Sequence, residues 1–288
     1  MKKRKMILLA LAGLGIVFLG SMFVGFDSPL ETEIAVIPIR GGISPVSVEA
    51  SPRNVREQIK NARSEGAEAF LFEINSPGGT VVASSQLEET ISDIQELTVC
   101  QFNDYATSGA YWAASACDKI VADPLTITGA LGVTASYLEY TEFMDEYGIK
   151  YIRLEEGDMK GMGSPYKNLT EEERIVFKNI LNQTHTKFIQ TVSTNRKISD
   201  EDLDEAARGK IFTGKEGLEI GLVDYLGGRR EAEVLFEKHF NETVRFREYR
   251  REQGLLDLLF GSELVDEQKH EKVSYATETD LPKLYALG

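Results

Sequence analysis

Short apolar runs recur along the first half of the chain, and stretches with helical periodicity separate them. The runs consist mostly of Ile, Val, Phe, Leu and Ala. They lack the strict alternation of a half-exposed strand, which is typical of strands buried in the middle of a parallel sheet. Four such runs lie at residues 34–39, 69–74, 98–102 and 118–122.

The segments between these runs predict helices. Ser51 followed by Pro52 is the usual N-cap and first-turn pair of a helix. Residues 82–97 carry an amphipathic stripe, and residues 108–116 have the small side chains of a closely packed helix. The resulting β-α-β-α-β order predicts an α/β fold with a mostly parallel sheet and right-handed crossovers.

The second half of the chain has a weaker pattern. It predicts a helix at residues 137–147 and a strand at residues 150–154. Thr170 and Glu173 form a capping box that begins a long helix. We expect the apolar stripe of that helix to lie in the core; its members are Phe177, Leu181, Thr184, Phe188 and Val192.

The N-terminus has the pattern of a membrane segment. Residues 1–5 are basic, and an uncharged apolar stretch then begins at Met6 and ends at Phe26. As a helix this stretch is about 30 Å long, the thickness of the hydrocarbon core. A retained anchor is favoured over a cleaved signal peptide, because the Ala-x-Ala string at Ala10 comes too early for cleavage. The basic flank predicts that residues 1–5 stay in the cytoplasm and the rest lies on the extracytoplasmic side.

These features divide the chain into five parts. They are a basic tail (1–5), a transmembrane anchor (6–26), a linker (27–33), a globular domain (34–250) and a C-terminal tail (251–288).

Composition narrows the function mainly by exclusion. The net charge of −14 argues against nucleic acid as a partner, because little would neutralise the phosphates. The three histidines show no metal-ligand spacing and have the pattern of solvated residues, so we expect neither a metal nor another cofactor. Cys100 and Cys117 are expected to be buried free thiols, with a disulfide as the alternative.

Three segments carry candidate chemistry. Ser108 follows a predicted strand and opens a helix, so its hydroxyl would stand at the carboxyl edge of the sheet. Lys160 lies among Met and Gly residues, and a neutral lysine amine can activate a serine hydroxyl. The backbone amides of Gly78 and Gly109 could stabilise an oxyanion. Taken singly, a lysine is more often a solvated surface residue, and a serine in such a loop is more often a helix cap.

Six ordered motifs strengthen this interpretation, and with them the chain closely resembles the signal peptide peptidase A family in its short, single-copy form. The resemblance covers roughly residues 34–228. The motifs are N-S-P-G-G at 75–79, S-G-A-Y at 108–111, D-K-I-V-A at 118–122, T-G-A-L-G-V at 128–133, K-G-M-G-S-P at 160–165 with T-E-E-E at 170–173, and G-L-V-D at 221–224.

The resemblance implies a crotonase-like or Clp-protease-like fold of repeated β-β-α units. It also implies a membrane-anchored serine endopeptidase with Ser108 as nucleophile, Lys160 as general base, and Gly78 and Gly109 as the oxyanion hole. Its substrates would be remnant signal peptides and other short or unfolded segments released from the membrane. The subunits would form a homo-oligomeric ring in which each supplies part of its neighbour's site.

One position departs from the family pattern, which has serine where this chain has Ala130. The serine hydroxyl would help to orient the lysine amine, and Thr128, Thr134 or a water are the candidate replacements. Two other functions stay open: a catalytically weak or inactive membrane scaffold of the same fold, and a crotonase-type enzyme acting on a thioester.

Overall fold

The computed structural model describes residues 31–250 of the 288-residue chain. The predicted anchor at residues 6–26, the basic tail in front of it and the C-terminal tail lie outside the described residues. Across residues 31–250, no helix has both the length and the apolar character needed to cross a bilayer.

The described residues form an α/β fold around one sheet of eight strands, so the predicted class is confirmed. The strands are β1 (Thr32–Arg40), β2 (Ala69–Ser76), β3 (Leu97–Thr107), β4 (Lys119–Ala122), β5 (Ile127–Gly129), β6 (Ile211–Thr213), β7 (Tyr225–Leu226) and β8 (Val244–Glu248). The helices are α1 (Pro52–Ser64), α2 (Val81–Ser92), α3 (Gly109–Ala114), α4 (Thr141–Glu146), α5 (Glu171–Asn195), α6 (Asp200–Ala206), α7 (Gly214–Glu219) and α8 (Arg229–Phe240).

The sheet is parallel apart from one pair. Its order is β6-β5-β3-β2-β1-β8, and only β5 and β6 run antiparallel among the described strands. Strand β3 is long enough to hold two neighbours on one side: Val99 to Phe102 pair with β4, and Tyr105 to Thr107 pair with β5. The second half of β3 therefore continues past β4, is held by β5, and positions the residue that follows it, Ser108.

Side chains alternate between two apolar layers, as the period of a strand requires. In β1, Ala35 and Ile37 face the larger core, while Ile34 and Val36 face the layer covered by α8. The larger core also includes side chains from α1, α2, α3 and the C-terminal half of α5. The continuous apolar runs of the sequence thus correspond to strands buried on both faces.

Several predicted boundaries need correction. The helix predicted at residues 82–97 ends at Ser92, and Leu97 already belongs to β3. The linker is shorter than predicted, because Thr32 and Glu33 are buried residues of β1. The helix predicted at residues 137–147 is confined to α4.

The predicted strand at residues 150–154 is wrong. It belongs to a segment, residues 134–170, that we call the arm; the arm contains α4 and otherwise turns and irregular chain. A strand needs a neighbour for its backbone hydrogen bonds, and no described strand pairs with the arm.

The expectation that the whole apolar stripe of α5 lies in the core is also corrected. Phe188 and Val192 are buried, but Phe177, Leu181 and Thr184, nearer the arm, are only half-buried.

The expectation of free thiols is also corrected, because Cys100 and Cys117 form a disulfide. Cys100 lies in β3, and the pairing of β3 with β4 brings the turn that contains Cys117 beside it, with a Cα–Cα distance of 5.8 Å. This separation is in the ordinary range for a disulfide. The bond closes a loop that contains Ser108, so it fixes both ends of the segment that presents this serine.

Candidate active site

Ser108 occupies a strained turn between β3 and α3. Its φ of 54° and ψ of −125° lie in a region that residues other than glycine rarely adopt. Its N–H donates to the carbonyl of Gly129 at 2.8 Å, and its own carbonyl accepts from the N–H of Trp112 at 2.9 Å. These bonds on both sides hold the turn, and backbone strain of this kind is concentrated at functional sites.

The glycine loop after β2 packs directly against this turn. A Cβ on Gly78 would lie 2.7 Å from the nitrogen of Gly109 and 3.0 Å from the Cβ of Ser108, so only glycine permits the approach. A Cβ on Gly79 would lie 1.9 Å from the carbonyl oxygen of Ile43. The sequence motif at residues 75–79 therefore brings the backbone after β2 against Ser108, the residue that follows β3.

The two glycine amides differ in their partners. The N–H of Gly78 donates to the hydroxyl of Ser76 at 3.2 Å. The N–H of Gly79 has no hydrogen-bond partner within residues 31–250. The two backbone hydrogen bonds that join this loop to Ile43 use the carbonyl of Gly78 and the N–H of Thr80 instead. Gly79, together with Gly109, also lines the pocket at Ser108. The geometry favours Gly79 over the predicted Gly78 as an oxyanion donor.

Ser108 opens into a pocket of about 420 Å³. Its walls come from α2, α3, α5 and the loops after β5 and α6, and they combine apolar and polar groups. The apolar members include Val81, Trp112, Ala130, Val133 and Phe188. Such a pocket can take an uncharged side chain of a substrate next to the nucleophile.

Lys160 is placed elsewhere. It lies in the arm, in a series of turns in which its N–H donates to the carbonyl of Gly157 at 3.0 Å. Its side chain is exposed, and within the described chain Lys160 is not among the residues that line the pocket. The structure thus brings together Ser108, Gly78 and Gly109, and it does not bring Lys160 to them.

Ala130 lines the same pocket, with a φ of 53°. Of the two threonines considered as replacements for its missing hydroxyl, Thr128 is already committed, because its hydroxyl donates to the carbonyl of Ala106 at 2.9 Å. Thr134 is exposed and lines the pocket.

Two sets of residues that support the site were missed from the sequence. The sequence pattern predicts a solvated His185, but its Nε2 lies 2.9 Å from the carbonyl oxygen of Ala207 and 3.2 Å from that of Leu131. This half-buried ring therefore joins two loops that line the pocket. Its position on α5, facing the core side, is visible only once the helix is placed.

The second set lies beneath α3. Arg196 donates to the carboxylate of Asp224 at 2.7 Å, and the same carboxylate accepts the N–H of Ile120 at 2.7 Å. The hydroxyl of Tyr111 donates to the carbonyl of Leu222 at 2.9 Å. Burial raises the pKa of Tyr111, so its hydroxyl stays protonated and donating. The motif at residues 221–224 is thereby explained as a structural support for the helix that follows Ser108.

Within residues 31–250, no group of His, Cys, Asp and Glu side chains is arranged to hold a metal ion.

Comparisons with known proteins agree with a hydrolytic site. Residues 93–241 match the model of peptidase family S49. A candidate protease of Synechocystis is 30% identical over 209 residues, which cover 72% of this chain and 74% of that protein. A candidate signal peptide peptidase A of Enterococcus faecium is 30% identical over 62% of this chain and 54% of its own length. Protease 4 of Haemophilus influenzae is 24% identical over 74% of this chain, which is 36% of that longer protein.

The matched residues include Ser108, Gly109 and the two pocket loops that follow β5 and α6, whereas the glycine loop after β2 lies before the match. The family match spans more than half of the chain. The chain belongs to peptidase family S49.

Proposed function

We propose that this chain is a membrane-anchored serine endopeptidase with Ser108 as its nucleophile and Lys160 as its general base. The observation that carries the proposal is the strained turn of Ser108, which lies in a pocket lined by Gly79 and Gly109. Membership of a peptidase family supports peptide hydrolysis, and it leaves the thioester alternative without support.

In the proposed reaction, the hydroxyl of Ser108 attacks the scissile carbonyl carbon while its proton passes to the amine of Lys160. The negative charge that develops on the carbonyl oxygen accepts hydrogen bonds from the N–H groups of Gly79 and Gly109. Lys160 then gives its proton to the departing amine. It afterwards takes a proton from the water that hydrolyses the acyl-enzyme.

Because Lys160 is exposed and outside the pocket of its own chain, we propose that each serine receives its lysine from a neighbouring copy in a homo-oligomeric ring. The surface of the arm supports this assembly. Several of its large apolar side chains face outward, among them Ile152 (80% exposed) and Leu154 (94% exposed). Apolar side chains clustered in this way are typical of surfaces that bind a partner.

The proposed location is the extracytoplasmic side of the cell membrane, with the apolar stretch from Met6 to Phe26 as the anchor. The disulfide between Cys100 and Cys117 supports this location, since such bonds persist in oxidising compartments. The proposed substrates are remnant signal peptides and other short or unfolded segments released from the membrane. A relative named for such an activity supports this class, and so do the apolar side chains of Val81, Val133 and Phe188 in the pocket lining.

A second candidate function is a catalytically weak scaffold of the same fold. Two observations favour it: Ala130 offers a methyl group to the pocket, and Lys160 does not reach the pocket in its own chain. The peptidase and the scaffold are distinguished by whether the hydroxyl of Ser108 reacts as a nucleophile.

The test uses two inactive variants of the full chain. We expect Ser108→Ala and Lys160→Ala each to abolish hydrolysis of an apolar peptide, and the double variant to be little worse than either. When the two single variants are coexpressed, activity should return in part, because a Ser108→Ala copy still supplies Lys160 to the intact serine of its neighbour.

Lys150→Ala is the matched control, since Lys150 is another exposed lysine of the arm. It should retain full activity. Labelling by a fluorophosphonate should occur in the wild type and disappear in Ser108→Ala. An unlabelled wild type would favour the scaffold, and full hydrolysis by Lys160→Ala alone would show that another group is the base.

A further inference from the structure

One wall of the Ser108 pocket consists of two loops that come from distant parts of the chain. They are the loop after β5, residues 130–133, and the loop after α6, residues 207–210, and members of both line the pocket. Their backbones are in direct contact, because a Cβ on Gly132 would lie 3.3 Å from the Cα of Gly209. A shift of either loop therefore changes the width of the pocket.

The loop after β5 starts at the nucleophile and contains a strained residue. The carbonyl of Gly129 accepts the N–H of Ser108 at 2.8 Å, and Ala130 follows with a φ of 53°. A residue other than glycine keeps such a conformation only when the surrounding structure holds it there. On one side, the N–H of Ala130 donates to the carbonyl of Lys210 at 2.7 Å. On the other side, the loop is held through the carbonyl of Leu131.

His185 of α5 supplies this second bond. Its Nε2 lies 3.2 Å from the carbonyl oxygen of Leu131 and 2.9 Å from that of Ala207. Both oxygens can only accept, so Nε2 carries the hydrogen and shares it between them. The carbonyl of Ala207 stands at the end of α6, where a helix leaves its carbonyls without partners of its own. One imidazole therefore fastens the end of α6 to the loop after β5.

The imidazole is itself held relative to the nucleophile. Phe188 lies three residues further along α5, on the same face as His185. It stacks on Trp112, in the helix that follows Ser108, with ring centroids 4.6 Å apart. Within residues 31–250, neither of the two carbonyls that His185 bonds accepts a second hydrogen bond. The bond from His185 is thus the connection through which α5 holds this wall.

We propose that His185 is a positioning residue for substrate binding, which fixes the width of the pocket beside Ser108 by holding the loop after β5 against the end of α6. It does not contact the reacting atoms. Its loss should therefore weaken substrate binding more than it slows the chemical step. The proposal rests on the peptidase function proposed above and adds to it the residue that holds one wall of the pocket.

The kinetic test uses three substitutions of His185 in the full chain and an apolar peptide with Leu before the scissile bond. The carboxamide nitrogen of Gln corresponds in reach to Nε2 of His, whereas that of Asn corresponds to Nδ1. His185→Gln should therefore keep KM within about twofold of the wild type. His185→Asn and His185→Leu should each raise KM about threefold to tenfold and change kcat by less than about twofold.

His239→Leu is the matched control, because His239 is an exposed histidine of α8, in the layer on the other face of the sheet. It should change neither KM nor kcat. Equal KM values for the Gln and Asn variants would overturn the proposal, because a residue that acts through this bond must depend on the reach of its donor. A fall in kcat without a rise in KM would overturn it as well.

A second readout does not depend on hydrolysis. Hydrogen exchange of the bonded amides of Ala130, Gly132 and Gly209 measures local opening of the wall. These amides should exchange about threefold to tenfold faster in His185→Leu than in His185→Gln, while the amides of β2 exchange equally in both. If the wild type hydrolyses no peptide but this difference appears, the peptidase function fails and the role of His185 in holding the pocket stands. Equal exchange in the two variants overturns that role, whether or not peptides are hydrolysed.

Discussion

The two halves of the proposed site lie in regions of opposite character. Ser108, Gly79 and Gly109 lie where β2, β3 and β5 end, and buried side chains and backbone bonds surround them. Lys160 lies in the arm, where few large side chains are buried and the contacts are local. Examples of these contacts are the ring pair of Tyr151 and Tyr166, at 5.0 Å, and the bond from the N–H of Tyr140 to the carbonyl of Pro165, at 2.7 Å.

This difference supports the proposal that the half with Ser108 is complete in one chain and that the half with Lys160 needs a neighbouring copy. The sheet half buries its own apolar side chains in two layers, one on each face of the sheet. The arm instead offers apolar surface that would become buried only against another molecule. A ring of copies would therefore both bury the arm and deliver Lys160. Each prediction below acts on one of the two regions and leaves the other unchanged.

The largest effect is expected in the sheet half, at Gly79. Gly79→Ala places a Cβ against the carbonyl oxygen of Ile43 and displaces the proposed oxyanion donor. Loss of one such donor lowers kcat by about 10²–10³-fold. Gly42→Ala is the control, because a Cβ there has nothing within 4 Å. Steady-state kinetics and the size of the assembly should be measured together; a lost assembly with normal kcat would contradict the assignment of Gly79.

The sheet half was also the more predictable from the sequence. Its strands are continuous apolar runs whose pattern needs no knowledge of a partner, and Ser108 could be located because a strand precedes it and a helix follows it. The choice between Gly78 and Gly79 could not be made, because it depends on which amide bonds Ser76. The disulfide depends on the register of β3 against β4, which the sequence does not display.

The arm was predicted poorly for a related physical reason. Residues 150–154 have the composition of a strand, but composition cannot supply the neighbouring strand that would bond them. The stripe of α5 has the helical period along its whole length, yet only Phe188 and Val192 meet the core of this chain. A periodic pattern shows that a face is to be buried, and it does not show whether the same chain or another copy buries it.

The second-largest effect is expected from substitutions in the arm alone. Ile152→Ser combined with Leu154→Ser removes two exposed apolar side chains, each worth about 1.5–3 kcal/mol if assembly buries it. We expect association to weaken by more than about 100-fold and activity to fall with it. The free energy of unfolding of the domain should change by less than about 0.5 kcal/mol.

Leu125→Ser is the control, since Leu125 is an exposed leucine near the sheet and outside the arm. Sedimentation measures the assembly, and thermal unfolding measures the domain. Unaltered sedimentation of the double variant would show that this part of the arm lies outside the interface.

A smaller effect is expected where the two halves would meet, at Ala130. Ala130→Ser restores a hydroxyl to the pocket, and one hydrogen bond to the lysine amine would raise kcat by up to about tenfold. Ala130→Gly is the matched control, because it relieves the positive φ without adding a hydroxyl and should stabilise the fold without raising kcat.

Thr134→Val tests the competing idea that this exposed threonine already orients the lysine. Thr128→Val is less informative, because it removes a buried bond to Ala106 and would destabilise the domain. No gain from Ala130→Ser together with no loss from Thr134→Val would mean that the lysine amine needs no hydroxyl from either position.

The smallest effect is expected at acid pH, in the two capping boxes found within residues 31–250. One begins the helix after the arm and the other lies beside the sheet. The hydrogen bond from the Lys167 ammonium, followed by the N–H of Thr170, lowers the pKa of Glu173 at the start of α5. The N–H of Thr213 lowers the pKa of Glu216 at the start of α7, on the sheet side. A carboxylate whose pKa is lowered by folding adds stability above its unfolded pKa of about 4.3, and this contribution is lost as the pH falls through the folded value.

Both helix starts should therefore loosen as the pH falls below about 4, and hydrogen exchange of their first-turn amides measures this. Glu173→Gln and Glu216→Gln should each make the exchange of their own helix start less dependent on pH. Only Glu173→Gln should also weaken the assembly, because α5 begins where the arm ends, whereas α7 lies beside the sheet. If both variants weakened the assembly equally, the start of α5 would have no special part in positioning the arm. The boundary between the half that is complete in one chain and the half that depends on a partner would then lie elsewhere.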